Sequence, residues 1–365
     1  MLPIIGNLRQ GILLSSIMAS PSDLISSSAA GGILHSLPNN AQAVGAAWLV
    51  SSAIFTTYST TNFLKFEPKE SKPLVAKKRR NKRDSAVAVI SKVGLSRPTL
   101  LTLFRFGGSL LLGLLAHPDL AIVQRIQDTA KSVPAFALPA VFLFVANFCN
   151  SISLNRIGIP LTYTSKCGIP LITVILTVLL DGTKALPNSL ALLSLLPVAL
   201  GIAAASWNSP TFETIGFLAA AMSATAQSAL NVTSKRAMMK TGVTGAAAQR
   251  VMVAVGFVIA ITVTLLQPRP NKNSAKDNGI IESAGPPTLL TLLAVTAYHM
   301  EYVFSFMFVR LVQPITYGTC DAIRRLCIII TGRLMFGGPP LKIYNILGVA
   351  MALLGALSYS VTSSL

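Results

Sequence analysis

Residues 160–180 read PLTYTSKCGIPLITVILTVLL, a stretch with one charge, Lys166, in an otherwise uncharged run long enough to cross a bilayer. A span needs about 20 such residues to cover a hydrocarbon core of roughly 30 Å. Comparable stretches recur over 43–64, 98–116, 133–154, 159–180, 186–206, 215–232, 250–267, 287–309, 314–336 and 343–362. The whole chain is 52% hydrophobic and only 12% charged, with mean hydropathy +0.63, outside the soluble range. The reading is an all-α polytopic membrane protein of about ten transmembrane helices. Pro98, Pro134, Pro160, Pro187, Pro287 and Pro314 are placed near helix starts, where a missing N–H costs little. Asp181-Gly182 and Gly337-Gly338-Pro339-Pro340 mark turns.

The opening segment has a second copy. Pro160-Leu161-Thr162-Tyr163-Thr164-Ser165 returns as Pro314-Ile315-Thr316-Tyr317-Gly318-Thr319, and each copy opens an apolar helix that ends in a glycine turn and a further apolar helix. The two copies open the fourth and ninth segments, so the chain divides as five plus five. An odd-numbered half inserts its copy upside down, which is the inverted-repeat plan of secondary carriers with a site near the midplane. The boundaries on this reading are 1–42 for an N-terminal tail or targeting segment, 43–206 for the first five-helix repeat and 207–365 for the second.

Charges inside the spans are few and expensive. Lys166 lies six residues after Pro160, and Arg324 and Arg325 lie ten and eleven after Pro314. Six and ten differ by one helical turn, which puts Lys166 and Arg324 on equivalent faces of equivalent helices. A basic side chain at this depth costs about 2.5 to 3.5 kcal/mol, so each needs a counter-charge. Asp321, Glu301 and a further cation, Arg105, fall at membrane depth too. Four basic groups against two acids leave two positive charges, which a dianionic phosphate ester would neutralise through Arg forks and a Lys point charge. A structural ion-pair network is the other use for the same charges. The adjacent arginines point different ways round the helix, which leaves one for substrate and the other for Asp321.

The formal charge of +18 comes from 30 Lys and Arg against 12 Asp and Glu. Much of the excess is concentrated in the interhelical stretch 65–97, including Lys77, Lys78, Arg79 and Arg80. It reads as a solvated, disordered loop near anionic headgroups rather than a nucleic-acid surface, as does the polar loop 268–286 as a disordered connection. The positive-inside rule also favours a cytosolic loop at Lys235, Arg236, Lys240 and Arg250, yet five spans separate the two basic loops, so both cannot be cytosolic. Residues 1–40 carry one arginine, Arg9, and a short apolar run, compatible with a targeting segment and with a plain tail. Cys149, Cys167, Cys320 and Cys327 have no metal-ligand spacing, no cofactor is called for, and Asn231-Val232-Thr233 reads as the end of a span rather than a glycan acceptor. His299 reads as packed or hydrogen-bonded, with proton coupling through Glu301 left open.

Four stretches carry a specific likeness: Ser153-Leu154 through Pro160 to Lys166 and Pro170; Phe212-Glu213 through Gly216-Phe217 and Ser223 to Asn231 and Lys235-Arg236; Pro314-Ile315-Thr316 through Arg324-Arg325; and Gly348 through Gly355 to Tyr359-Ser360. Together they resemble the triose-phosphate translocator family, a branch of the drug/metabolite transporter superfamily. The likeness covers about 130–362 and is weaker over 43–116. It implies that Lys166, Arg324 and Arg325 hold phosphate, with Arg324 standing where a lysine is usual. It also implies substrate contacts at Asn147, in place of a histidine, and at Glu301 or its neighbour Tyr302, in place of a tyrosine, while the family's first-span lysine is replaced by Thr60. With Arg105 and the paired repeat tyrosines Tyr163 and Tyr317, these complete the candidate site.

The expected activity is antiport of phosphorylated sugars or related organic phosphates against inorganic phosphate by alternating access, through a cavity lined by spans one to four and six to nine. Partners are the phosphorylated substrate, inorganic phosphate and membrane lipid, with a homodimer left open and no nucleic acid. The host membrane is organellar, endomembrane or plastid envelope. Rival readings are a nucleotide-sugar exchanger of the Golgi or ER and a transport-inactive scaffold. No metalloprotease-type or nucleophile-base motif supports an enzyme.

Overall fold

The computed structural model describes residues 40–65, 96–115, 122–182, 186–207, 209–266, 288–312, 314–337 and 342–362, and no strand occurs among them. The basic stretch of the 65–97 loop, the 268–286 loop and the N-terminal segment before residue 40 lie outside the described residues.

Helix α1 (Ala41–Val50) starts where the Asn40 side chain accepts hydrogen bonds from the Gln42 and Ala43 amides, at 3.1 and 3.3 Å. It runs through a π-helical turn, Ser51–Thr56, into α2 (Thr57–Leu64). The wide turn loosens the main-chain ladder, and hydroxyls occupy it: Ser51 donates to the Trp48 carbonyl at 3.0 Å and Thr57 to the Ser52 carbonyl at 2.9 Å. Next come α3 (Arg97–Leu115) and the long α4 (Ile122–Ser165).

Helix α4 breaks at Gly158, whose φ of 74° belongs to the left-handed region that only glycine enters cheaply. Pro160 follows as the first residues of the next straight run, which passes through a 3₁₀ turn, Lys166–Gly168, into α5 (Ile169–Asp181). Gly182, at φ 80°, ends it. The remaining helices are α6 (Ser189–Ser206), α7 (Thr214–Thr241), α8 (Gly245–Leu266), α9 (Thr288–Leu311), α10 (Pro314–Phe336) and α11 (Ile343–Thr362).

By length and apolarity, six helical runs among the described residues qualify as membrane spans: Arg97–Leu115, Ile126–Leu179, Ser189–Ser206, Thr214–Thr241, Gly245–Leu266 and Thr288–Leu311, with a shorter apolar helix over Ile343–Tyr359. The expected count of ten differs for physical reasons. Ile126–Leu179 holds two of the expected segments folded at Gly158, the first segment is divided by its π turn, and α10 carries Asp321, Arg324, Arg325 and Arg333.

Other boundaries shift as well. Pro134 lies within α4 rather than at its start, because a polar stretch from Ile122 extends the helix. Helix α7 continues past Asn231 to Thr241, so Lys235, Arg236 and Lys240 sit on a helix and not in a loop. Asn231 accepts a hydrogen bond from Gln227 at 3.2 Å, inside that helix.

Helix α4 packs on α7 and α8, α3 on α8 and α9, α9 on α1, and α6 on α11. The α6–α11 contact is backbone to backbone: a Cβ on Gly201 would lie 2.4 Å from the Ala352 nitrogen, and one on Gly348 2.4 Å from the Ala205 nitrogen. Small residues are what permit such approach in a membrane, where packing rather than water exclusion joins helices. One apolar cluster gathers Phe106, Phe136, Leu143, Leu230, Met252 and Tyr298; another gathers Phe63, Leu101, Leu154, Ile159, Tyr163 and Ile328. The four cysteines are free thiols.

Candidate functional site: a cationic cavity at membrane depth

A cavity of about 600 Å³, counted with its mouth, opens between these clusters. It draws residues from α1 and its π turn, α2, α3, α4, the 3₁₀ turn, α5, α7, α9 and α10. All nine candidates from the sequence, Lys166, Arg324, Arg325, Arg105, Tyr163, Tyr317, Asn147, Glu301 and Tyr302, line it. Trp48, Thr56, Asn150, Gln227, Tyr298 and Ser305 join them without having been singled out beforehand. Helix α8, expected in the wall, supplies none of the lining residues. It seals from behind: a Cβ on Gly256 would fall 2.2 Å from the Phe106 ring, and Gln249 donates to Ser109 at 2.7 Å. Ser109 in turn meets His299 Nδ1 at 2.9 Å, so this histidine is buried and hydrogen-bonded.

Both acids, Glu301 and Asp321, pair with the arginines of α10. Arg324 directs Nη1 to Glu301 Oε1 at 2.9 Å and Nη2 to Asp321 Oδ1 at 2.7 Å, with Nε on the same Asp321 oxygen at 3.0 Å. Ser52 bridges the group, donating to Glu301 Oε1 at 2.9 Å and accepting from Arg324 at 2.8 Å. Arg325, only 3% exposed, pairs with Asp321 Oδ2 and donates to the Lys166 carbonyl. Both arginines therefore reach Asp321, where the sequence reading divided them. Their spacing of three and four residues from Asp321 puts both on its side of the helix.

Two further cations of the cavity, Lys166 and Arg105, form no ion pair with a described carboxylate. Lys166 is 8% exposed, its ammonium 5.6 Å from the Tyr163 ring centroid, and no described carboxylate pairs with it. Arg105, 2% exposed, donates to Thr60 and lies 5.3 Å over the Tyr298 ring. Its Nε has no hydrogen-bond partner, nor has Arg325 Nε. A buried charge survives only with compensation. The net +2 of four cations and two acids is thus carried by Lys166 and Arg105.

Aromatic contacts hold the frame. Trp48 stacks on Tyr317 at 5.1 Å between centroids and lies 4.9 Å from the Arg324 guanidinium. Tyr302 packs on Tyr298 at 4.6 Å and donates its hydroxyl to Asn147 at 3.1 Å. Asn147 and Tyr302 thereby fix each other while facing the cavity.

A polytopic helical bundle with a charged cavity between its helices is compatible with a membrane transporter. The model of the Triose-phosphate Transporter family matches residues 88–360, and the chain belongs to that family. It is a transporter-family protein and not an enzyme. Among its relatives, phosphoenolpyruvate/phosphate translocator 2, chloroplastic, of Arabidopsis thaliana is 27% identical over 72% of this chain and 69% of its own length. The triose phosphate/phosphate translocator of non-green plastids of Brassica oleracea var. botrytis is 25% identical over 73% and 66%. Glucose-6-phosphate/phosphate translocator 2, chloroplastic, of Arabidopsis thaliana is 26% identical over 60% and 56%. The chain thus spans between 56% and 69% of these relatives. A solved crystal structure aligns with TM-score 0.50 at 16% identity, covering 86% of this chain and 99% of that one, a likeness of fold.

Proposed function

We propose that the chain exchanges a phosphorylated sugar or related organic phosphate for inorganic phosphate by alternating access. The observation that carries this reading is the presence of two cavity-facing cations, Lys166 and Arg105, that form no ion pair with a described carboxylate. A phosphate dianion supplies the missing −2, and the names of the three relatives all include phosphate as one exchanged species. Empty, the cavity exposes uncompensated charge to apolar surroundings during reorientation; loaded, it is neutral. Obligatory exchange follows.

The helix pairings support a two-repeat plan divided at 206/207. Exchanging α1–α2 with α7, α3 with α8, α4 with α9 and α6 with α11 turns the α4–α7 contact into α9–α1 and α4–α8 into α9–α3. The α3–α8 and α6–α11 contacts map onto themselves. Lys166 and Arg324 are then counterparts facing one cavity from opposite halves. A plastid-type envelope is the host membrane that the relatives' names favour.

The test is counter-exchange in proteoliposomes. Uptake of a labelled phosphate ester that requires internal phosphate is the expected result. Uptake that proceeds equally into phosphate-free vesicles would contradict it.

A further inference from the structure

One hydrogen-bonding group in the cavity is left unspent on Glu301. Glu301 uses Oε1 for both Ser52 and Arg324, while Oε2 takes no hydrogen bond from any described residue and belongs to a side chain that lines the cavity. An ionised carboxylate is an acceptor only, so this oxygen calls for an O–H or N–H donor. It repels a second carboxylate, and strongly so where the surroundings are of low dielectric. Charge counting gives the same answer. Arg324 and Arg325 cancel Glu301 and Asp321, leaving +2 on Lys166 and Arg105. A phosphate ester dianion balances that sum, whereas a phosphorylated carboxylate brings a third negative charge with no cation left to meet it. The names of the relatives include both kinds of cargo, phosphoenolpyruvate on one side and triose, glucose 6- and xylulose 5-phosphate on the other.

We propose that Glu301 is a specificity-determining residue that makes this cavity take phosphate esters with neutral, hydroxyl-bearing carbon skeletons and turn away phosphorylated carboxylates. The proposal rests on the antiporter reading above. Ser52 and Arg324 hold the carboxylate in place, so that a substrate hydroxyl at Oε2 meets a fixed acceptor. A tyrosine or glutamine at this position would offer a donor and no charge, removing the discrimination.

Phosphate-preloaded proteoliposomes of the full chain test it, offered labelled dihydroxyacetone phosphate, glucose 6-phosphate, 3-phosphoglycerate and phosphoenolpyruvate, each rate divided by the same variant's phosphate–phosphate exchange. The wild type should take the better of the two hydroxyl esters at least tenfold faster than either phosphorylated carboxylate. Glu301→Gln should narrow that ratio at least fivefold. Should Glu301→Gln be inactive, competition decides: unlabelled hydroxyl esters, and not the carboxylates, should inhibit wild-type phosphate exchange. A wild type that prefers or equally accepts the carboxylates, or an active Glu301→Gln with an unmoved ratio, overturns the role of Glu301 and leaves the antiporter reading standing. A wild type with no phosphate exchange overturns both.

Discussion

Lys166 lies six residues after Pro160 and Arg324 ten after Pro314, in two stretches of similar sequence, and both line the same cavity. Their surroundings differ. Arg324 is held by Asp321, Glu301 and Ser52, whereas the Lys166 ammonium lies over the Tyr163 ring and forms no ion pair with a described carboxylate. Similar sequence around a charge does not fix what neutralises it. At Arg324 the counter-charge is built into the protein; at Lys166 the proposed function leaves it for a ligand.

That difference sets the order of expected effects. Lys166→Ala removes a charge that forms no ion pair with a described carboxylate, so transport should fall by roughly a hundredfold, as loss of about 3 kcal/mol of charge-assisted bonding implies, while the thermal midpoint hardly moves. Counter-exchange and a thermal melt on the same preparation check both halves. Arg325→Ala should do the reverse in part. It leaves buried Asp321 with Arg324 alone and frees the Lys166 carbonyl, lowering stability by about 3 kcal/mol and the melting point by on the order of 5 °C.

Two changes outside the cavity bracket the comparison. Gly348→Leu drives a side chain into the α6 backbone and should cost about 2 kcal/mol of stability, read by thermal melting. The KM for phosphate should stay unchanged, because neither α6 nor α11 lines the cavity. Arg156→Ala breaks a pair with Glu213 whose side chains are both 41% exposed, and its effect on the melt should stay below about 0.5 kcal/mol.

Much of this was legible before the fold. Basic residues inside apolar runs are costly enough to stand out, and the sequence reading assigns Asp321 one arginine of the adjacent pair, although both Arg324 and Arg325 reach it. The links across the bundle were not. Ser52 reaches Glu301 over 249 positions, and Thr60 meets Arg105 over 45, distances at which no periodic pattern survives. Trp48, Gln227 and Tyr298 face the cavity from segments that read simply as apolar helix. The π turn at Ser51–Thr56 is equally silent in composition, although Ser52, Thr56 and Thr60 reach the site from it and the helix that follows. Helix ends were missed where polar residues prolong a helix past its apolar stretch, as at Ile122 and at Thr241.

The central claim is that the Lys166 cation is left for substrate phosphate, and phosphate-dependent melting of the purified protein tests it most directly. Phosphate at a hundred times its Kd should stabilise the wild type by about 2.7 kcal/mol, and Lys166→Ala, melting at the wild-type temperature without phosphate, should respond to none. A Lys166→Ala protein that gains the same stabilisation as the wild type, or that melts far below it in the absence of phosphate, would show that the charge is structural and contradict the account.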